Sequence, residues 1–538
     1  MNKKSTKLRG KPNRRTQIAI KLRRILFGQT VIVALLLLIQ FSLYFIFLLR
    51  LQQFASLYFK VSIVLSVLFL IYLVNRKGKN EYKLAWLFPV FCFPVLGISL
   101  YFLFKYNQGG IWLKKKIRKI KTYSDSYIQE KNRVDEIQNK YPNIKDISQY
   151  LYSYGKYPAY EGTKTKYFCC GEDFFSDVLK SFEKAKKFIF MEFFIIEPSH
   201  ILDRILEVLS KKIEEGVEVR ILFDSIGSIV LSSSLLKHYF SVYGIKSKVW
   251  LKFLPVFNIG YNNRDHRKII VVDNKTAYTG GVNISDEYAN IESKRFDYWK
   301  DAGIKLSGPA VHSFTLMFLQ MWNVQNRKNQ SYDNFEKYIS KKNVAKLSST
   351  ENLNNECGLV IPYGDDAYNN QEIAENVYYY LLNKAQKKVS IMTPYVIIDN
   401  TILDAMIFTA QRGVEVELIV PEHYDHFITF CVGRTFIKTL IESGVKVYAY
   451  QKGFIHSKVF VTDSIYGTVG SVNLDYRSFY HHFECGTFLY NTDSLIEAEK
   501  DFEKTKLECK EITLDEYKKI AWYVRIIGWF FRIFSPLM

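Results

Sequence analysis

The chain has 538 residues, too many for one ordinary core, and its length implies about two to four units. Its 74 Lys and Arg against 53 Asp and Glu leave a formal charge of +21, so the expected partner is anionic: nucleic acid, an anionic membrane face or a phosphorylated substrate. Seven cysteines (Cys92, Cys169, Cys170, Cys357, Cys431, Cys485, Cys509) follow neither a zinc-knuckle nor a disulfide spacing, which excludes a small stapled scaffold and leaves them as packing residues.

Residues 1–24 hold ten Lys or Arg and no acid, and are expected to form a basic cytoplasmic N-terminus. Residues 25–106 are expected to form a membrane anchor of two or three transmembrane segments. Residues 31–49 are uncharged and long enough to cross a bilayer as a helix. Residues 61–74 reach spanning length from about Phe54, including Lys60. Residues 84–104 carry no charge but contain Pro89, Pro94 and Gly97, which membrane helices tolerate. These aromatic-rich runs lack a small-residue cleavage pattern, so neither a signal peptide nor a soluble core fits them, and the expectation is a multi-pass protein of the cell membrane. Three full spans place everything after Phe104 opposite the N-terminus, whereas two spans and a re-entrant segment keep it on the same side. Lys105 and the basic residues Lys114, Lys115, Lys116, Arg118, Lys119 and Lys121 of a 107–150 linker favour the second arrangement.

Beyond residue 150 the chain repeats itself. Lys184-Ala185-Lys186-Lys187 leads to Met191-Glu192-Phe193-Phe194, as Lys384-Ala385-Gln386-Lys387-Lys388 leads to Met392-Thr393-Pro394-Tyr395. Gly216-Val217-Glu218-Val219 returns as Gly413-Val414-Glu415-Val416, and Gly244-Ile245-Lys246 as Gly444-Val445-Lys446. Each copy predicts helix, buried strand, helix, second strand and helix, an α/β fold duplicated over residues 151–345 and 346–515. An Asn, Ser and Lys-rich connector from Gln325 to about Glu356 joins the copies. Residues 516–538 end the chain as an amphipathic helix, with Arg525 and Arg532 among Trp, Ile and Phe, suited either to a lipid interface or to the protein core.

The strongest signal closes each copy. His266, Lys268 and Asp273 are matched at identical spacing by His456, Lys458 and Asp463. The apolar runs after each Lys predict a strand, on which His and Lys share a face. The Asp falls an odd number of steps away and is expected to hold the following turn. Hairpins from 273–275 and 463–465 would return Gly280-Gly281-Val282-Asn283 towards His266 and Gly470-Ser471-Val472-Asn473 towards His456. The glycines would allow close approach to an anion. Imidazole, ammonium and amide around one spot are the groups that grip a phosphoryl oxygen.

Here the chain resembles the phospholipase D superfamily, whose signature is His-x-Lys-x4-Asp followed by Gly-Gly or Gly-Ser and Asn. The resemblance narrows to the bacterial cardiolipin synthases through "FDSIGS" (223–228), "MTPYVI" (392–397), "GSVNLDYRSF" (470–479), the terminal "FSPLM" and "KLAWLFPVFCFPVLG" in the last apolar segment. It implies two domains across a pseudo-twofold axis, preceded by transmembrane helices and sharing one active site. The catalytic set is then His266, Lys268, Asp273, His456, Lys458 and Asp463, with His266 as nucleophile and His456 as acid/base. Asn283 and Asn473 join the lysines in binding phosphate. Each imidazole also needs an orienting acceptor, and alignment of the copies puts Asp301 behind His266 and Glu484 behind His456. No metal and no cofactor are expected. His423, His426, His481 and His482 are unmatched between the copies and are expected to be loop or packing residues, although His482 stands where these synthases usually carry Asn.

The expected reaction transfers phosphatidyl between two phosphatidylglycerols in an anionic membrane, giving cardiolipin and glycerol through a phosphohistidine. Much of the positive charge flanks the apolar segments, which argues against nucleic acid. The alternatives are a membrane-tethered phosphodiesterase or nuclease that uses water, and a catalytically dead lipid-binding scaffold. Two intact motifs oppose the scaffold.

Overall fold

Duplication is visible in the strand order. In the computed structural model the first copy contributes β1 (Lys164–Phe168), β2 (Phe188–Phe193), β3 (Glu218–Asp224), β4 (Lys246–Trp250), β5 (Ile269–Val272), β6 (Thr276–Gly280), β7 (Trp299–Lys300) and β8 (Gly303–Ser307). The second contributes β9 (Leu359–Asp365), β10 (Lys388–Met392), β11 (Val396–Ile397), β12 (Glu415–Pro421), β13 (Lys446–Tyr450), β14 (Phe454–Ile455), β15 (Val459–Thr462), β16 (Tyr466–Gly470), β17 (Leu474–Asp475), β18 (Glu484–Tyr490) and β19 (Cys509–Glu511). One sheet runs β1-β8-β6-β5-β2-β3-β4, and the other β19-β13-β12-β10-β15-β16-β18-β9. Without β19 and read from β9, the second order repeats the first strand for strand. β2, β3 and β4 are parallel, as are β10, β12 and β13, and the motif strands β5 and β15 join antiparallel to β2 and β10. All six residues of β2 are buried, as befits a strand covered on both faces.

The structure describes residues 52–538 except 106–107, 129–130, 229–232, 252–262, 293–294, 327–330, 340–357 and 369–370; before residue 52 it describes only 38, 41, 42 and 45. The expected basic N-terminus and most of the first apolar run therefore lie outside the described residues, as does most of the connector.

Described residues up to Lys105 form one compact unit, and those from Gln108 on form another. In the first, helix α1 (Gln52–Val74) contains a stretch, Ser56–Val74, of mean hydropathy 2.3 that is long and apolar enough to cross a membrane; among the described residues no other helix meets that test. The third apolar run is not one helix. It breaks at Phe93 into α2 (Asn80–Cys92) and α3 (Pro94–Lys105), because Pro94 disfavours helical backbone in the residue before it. Gly97 then lets α3 come against Pro89 and Val90, where a Cβ would lie 2.7 Å from backbone atoms. Phe69, Leu73, Val90 and Tyr101 form the small core of this unit.

In the second unit the expected basic linker is partly a packed element. Helix α4 (Gln108–Ser124) buries Leu113, Ile117 and Ile120 in the main core, and Lys121 pairs with Asp366 at 2.5 Å. Helix α5 (Val311–Val324) is buried almost throughout; its side chains reach the core shared by both sheets. Helix α6 (Phe427–Glu442) receives α7 (Trp522–Phe531) so closely that a Cβ on Gly528 would lie 2.2 Å from the Cys431 carbonyl oxygen. The terminal segment continues to bury Ser535 and Pro536.

Candidate active site

Both motif hairpins turn through left-handed backbone. Asp273 and Asn274 have φ of 55° each, as have Asp463 and Ser464, and Lys275 N donates to Val272 O at 3.0 Å. Two successive positive φ values make the tight turn that matches strand twist. The Asp273 carboxylate accepts from the backbone N–H of Lys186, Lys187 and Phe188 at 2.7–2.8 Å; Asp463 does the same for Gln386, Lys387 and Lys388 at 2.8 Å. The carboxylate of each motif thus ties its hairpin to the start of the central strand. The strands themselves begin after the lysines, so His266-Arg267-Lys268 and His456-Ser457-Lys458 lie in the segments leading into β5 and β15, not in the strands.

The arrangement of the orienting acids corrects the expected pairing. Glu484 Oε1 lies 2.8 Å from His266 Nδ1, and Asp301 Oδ2 lies 2.7 Å from His456 Nδ1. Each imidazole is held by the carboxylate of the other copy. The backbone enforces this exchange: His266 N donates to Phe483 O at 2.9 Å and Phe483 N to Arg264 O at 2.7 Å, while β14 pairs with β7 and His456 N donates to Lys300 O at 2.7 Å. Glu484 and Asp301 are the next residues along those partner segments. Because an ionised carboxylate only accepts, each Nδ1 carries the proton and each Nε2 keeps its lone pair.

The glycines serve these acids. A Cβ on Gly281 would lie 2.0 Å from Asp301 Oδ1, so the space expected for an anion holds the acid. The matching position, Ser471, instead donates its hydroxyl to Glu484 Oε2, and Ser478 Oγ donates to Oε1 at 2.9 Å. Ser471 stands in the Gly-Ser-Val-Asn signature and Ser478 in the GSVNLDYRSF segment, but a bond from either to Glu484 was not expected, since neither residue repeats between the copies. Asn283 Oδ1 accepts from Ile195 N at 3.1 Å, and its amide reaches the Tyr288 hydroxyl; the Tyr288 ring packs edge-on at 5.3 Å against that of His456. Asn473 is buried, and its Oδ1 has no protein partner.

All four acid–histidine groups and both lysines are buried. Burial, helped by Lys268 and His482 against the pull of Glu484, pushes His266 down to about 3. Burial and Lys458 hold His456 well below its ordinary value. Burial also lowers Lys268 to about 8 and Lys458 to about 7, although Asp301 and Glu484 oppose it. The acids diverge. Burial raises Asp301 to about 6 against Lys458, whereas at Glu484 burial is overridden by His266, His482 and Lys268, which hold that carboxyl well below the usual range. Lys268 acts on His456, and Lys458 feels both acids, so the two motifs share one electrostatic site.

His482 was expected to be a loop or packing residue. Its ring lies 5.3 Å from that of His266, and its Nδ1 is 3.6 Å from Glu484 Oε1, buried and without a hydrogen-bond partner. His481 Nε2 meets the Pro536 carbonyl at 3.2 Å, so the same loop is anchored by the C-terminus. His423 lines a shallow cleft with Tyr395, Asp425, Phe430, Arg434 and Phe454, the last of these two residues before His456. His426 is exposed. Three described clusters bring His, Cys, Asp or Glu close enough to share a cation: His266/His482/Glu484, Cys169/Cys170/Asp173 and His200/Asp286/Glu292.

Comparison with known proteins places this geometry. The model of the cardiolipin synthase, PLD-like domain matches residues 178–322 and 378–506, and a phospholipase D-nuclease N-terminal model matches residues 64–105. An uncharacterized protein of Streptococcus mutans is 38% identical, covering 87% of this chain and 99% of that protein. A cardiolipin synthase of Clostridium perfringens is 32% identical, covering 84% and 94%. The crystal structure of a Haemophilus influenzae phosphatidylserine synthase superposes with a TM-score of 0.53 at 17% identity, over 73% of this chain and 97% of that one, and so shares the fold. With two matched domains, two intact motifs and a relative of that identity along most of its length, the chain belongs to the cardiolipin synthase family of phospholipase D-like proteins.

Proposed function

We propose that this protein is a cardiolipin synthase, a phosphatidyltransferase joining two phosphatidylglycerols. The observation that carries the reading is the exchange of acids, which makes one composite site from two copies and gives each histidine its own proton-holding environment. His266 Nε2 attacks the phosphorus of the first lipid and the bond to its terminal glycerol breaks. His456 protonates the departing oxygen, releasing glycerol and leaving phosphatidyl on His266. The hydroxyl of a second phosphatidylglycerol then gives its proton to His456 and attacks phosphorus, the P–N bond breaks, and cardiolipin leaves. Lys268, Lys458, Asn283 and Asn473 hold the non-bridging oxygens, and an anionic phosphate there offsets burial and raises His456 towards its charged form. Ionised Glu484 suits a nucleophile that becomes cationic when phosphorylated. Asp301, near 6, suits the histidine that exchanges protons.

The substrates reach the site from a membrane. Helix α1 spans it, with Ile63, Val64, Leu68 and Ile71 exposed to lipid. Helices α2 and α3, of 13 and 12 residues, are about 18–20 Å long, short of the roughly 30 Å hydrocarbon core, which supports a re-entrant pair and a catalytic unit on the side of the basic N-terminus. The uncharged run 31–49, most of which lies outside the described residues, is by its sequence alone long enough to be the other span of a multi-pass protein. Helix α7 combines both expected roles: it packs on α6 through Val524 and Gly528, and presents Trp522, Ile526 and Trp529 outwards, with Trp529 74% exposed, as a stripe for the lipid interface. Basic charge beside apolar segments favours lipid over nucleic acid. Purified protein given labelled phosphatidylglycerol is expected to yield cardiolipin and equimolar glycerol. Phosphatidic acid without cardiolipin would overturn the reading in favour of hydrolysis.

A further inference from the structure

The geometry points to a regulatory cation site made by His266 Nδ1, His482 Nδ1 and Glu484, which takes a borderline transition-metal ion such as Zn²⁺ and arrests phosphatidyl transfer. The three donors are an imidazole pair and a carboxylate, the set that holds Zn²⁺ in three-ligand sites with an open fourth position. Their spacing fits. Bonds of about 2.0–2.1 Å at tetrahedral angles separate ligand atoms by about 3.3 Å. Here the Glu484 oxygen lies 2.8 Å from His266 Nδ1 and 3.6 Å from His482 Nδ1, and all the ligand atoms fall within 4.8 Å of one another.

Two further observations single out this cluster. His482 Nδ1 is a buried polar atom whose nearest acceptor, Glu484 Oε1, stands 3.6 Å away, beyond hydrogen-bond reach, and a cation between them would satisfy both. Glu484 is also fixed from behind by Ser471 and Ser478, the outer support that positions a metal-binding carboxylate. Asp301 lacks this equipment: the position matching Ser471 is Gly281, and the rings near His456 are Tyr288, Trp299 and Phe454. The cation site therefore belongs to one histidine and not to the other.

Its consequence follows from imidazole bookkeeping. In the metal-free pair the single ring proton of His266 sits on Nδ1, towards Glu484, and Nε2 carries the lone pair. A cation on Nδ1 takes that lone-pair position, so the neutral ring keeps its proton on Nε2. The atom that attacks phosphorus then has no free electron pair, and no proton is gained or lost overall. Arrest rests on the reading of His266 as nucleophile; binding does not.

The test uses full-length protein in detergent with Cys169→Ser and Cys170→Ser, which removes the vicinal thiols as a competing site. Co²⁺ is expected to bind as one tight equivalent with d–d absorption in the visible, displaced by Zn²⁺. His482→Asn, whose fold is checked by thermal unfolding, is expected to weaken that binding by about 10- to 100-fold. Zn²⁺ is expected to stop transfer, a chelator to restore it, and the inhibition midpoint to move by the same factor in His482→Asn, each protein being scaled to its own metal-free rate. Absence of the tight cobalt site, or cobalt affinity unchanged by His482→Asn, overturns the proposal. Cobalt binding that depends on His482 but leaves turnover intact overturns the arrest, and places the failure in the nucleophile assignment.

Discussion

The two motif segments share a backbone and differ in nearly everything beside it. Before and around His266 stand Arg264, Asp265 and Arg267, and Arg267 meets the buried Glu192 at 2.7 Å. Around His456 stand Phe454, Ile455 and Ser457, and Phe454 packs on Phe296 and Trp299 with ring centres 4.9 Å apart in each case. The hairpins, their turn carboxylates and the exchange of acids are duplicated. The proton affinities are not: His266, His482 and Lys268 hold Glu484 below the usual carboxyl range against burial, while burial raises Asp301 to about 6. Duplication fixed where the donors stand, and divergence of the flanking residues gave the two acids different proton affinities, the difference on which the proposed division of roles rests.

The bluntest way to break this comparison is to remove either ring. His266→Ala and His456→Ala are each expected to cut cardiolipin formation by about 10⁴-fold or more, as measured by lipid product analysis, because groups acting as a unit fail together. The acids sharpen it. Asp301→Asn and Glu484→Gln are each expected to lower turnover by about 10²- to 10⁴-fold with phosphatidylglycerol. With a nitrophenyl ester of phosphatidic acid, whose leaving group needs no proton, the first step is expected to recover in Asp301→Asn but not in Glu484→Gln. Recovery in the reverse order would restore the uncrossed pairing.

A smaller effect is expected in the pH profile of kcat/KM, which reports the free enzyme. Asp301 must be ionised to accept the His456 Nδ1 proton, so activity rises as pH passes about 6. Lys458 and Lys268 must be charged to hold phosphate, and lowered to about 7 and 8 they lose their protons as pH rises further, so activity falls. Lys458→Arg is expected to move the falling limb upward, and Asp301→Asn to erase the rising one. The smallest effect on chemistry is expected at the turn acids. Asp273→Ala or Asp463→Ala leaves three backbone N–H groups without their acceptor and should cost about 1–3 kcal/mol of stability, seen as a lower Tm, with the pH profile retained.

Much of this was legible in the chain. Equal spacing exposed the duplicated motif, and the Asp-Asn-Lys turn announced a hairpin. The odd step from His to Asp separated the turn acid from the chemistry. The exchange of Asp301 and Glu484 was not legible, because it depends on which segment pairs with residues 264–266, and that partner lies 218 residues away. Aligning copies assigns each acid within its own repeat and is blind to a contact made across the axis. His482 stood out as a departure beside Glu484, but its approach to His266 and the bonds of Ser471 and Ser478 to Glu484 were not foreseen, because repetition was the signal and these residues make the halves unequal. In the third apolar run Pro94 was visible, yet hydropathy alone does not tell a tolerated proline from a break between two short helices.

The central claim is that one site is split between a nucleophilic His266 and a proton-handling His456. It is tested most directly by giving His456→Ala the nitrophenyl ester of phosphatidic acid, labelled in its acyl chains, with no acceptor lipid. The account predicts one equivalent of nitrophenol released in a burst and the lipid label held, acid-labile, on the peptide containing His266. A burst from His266→Ala, with label on the peptide containing His456, would contradict it.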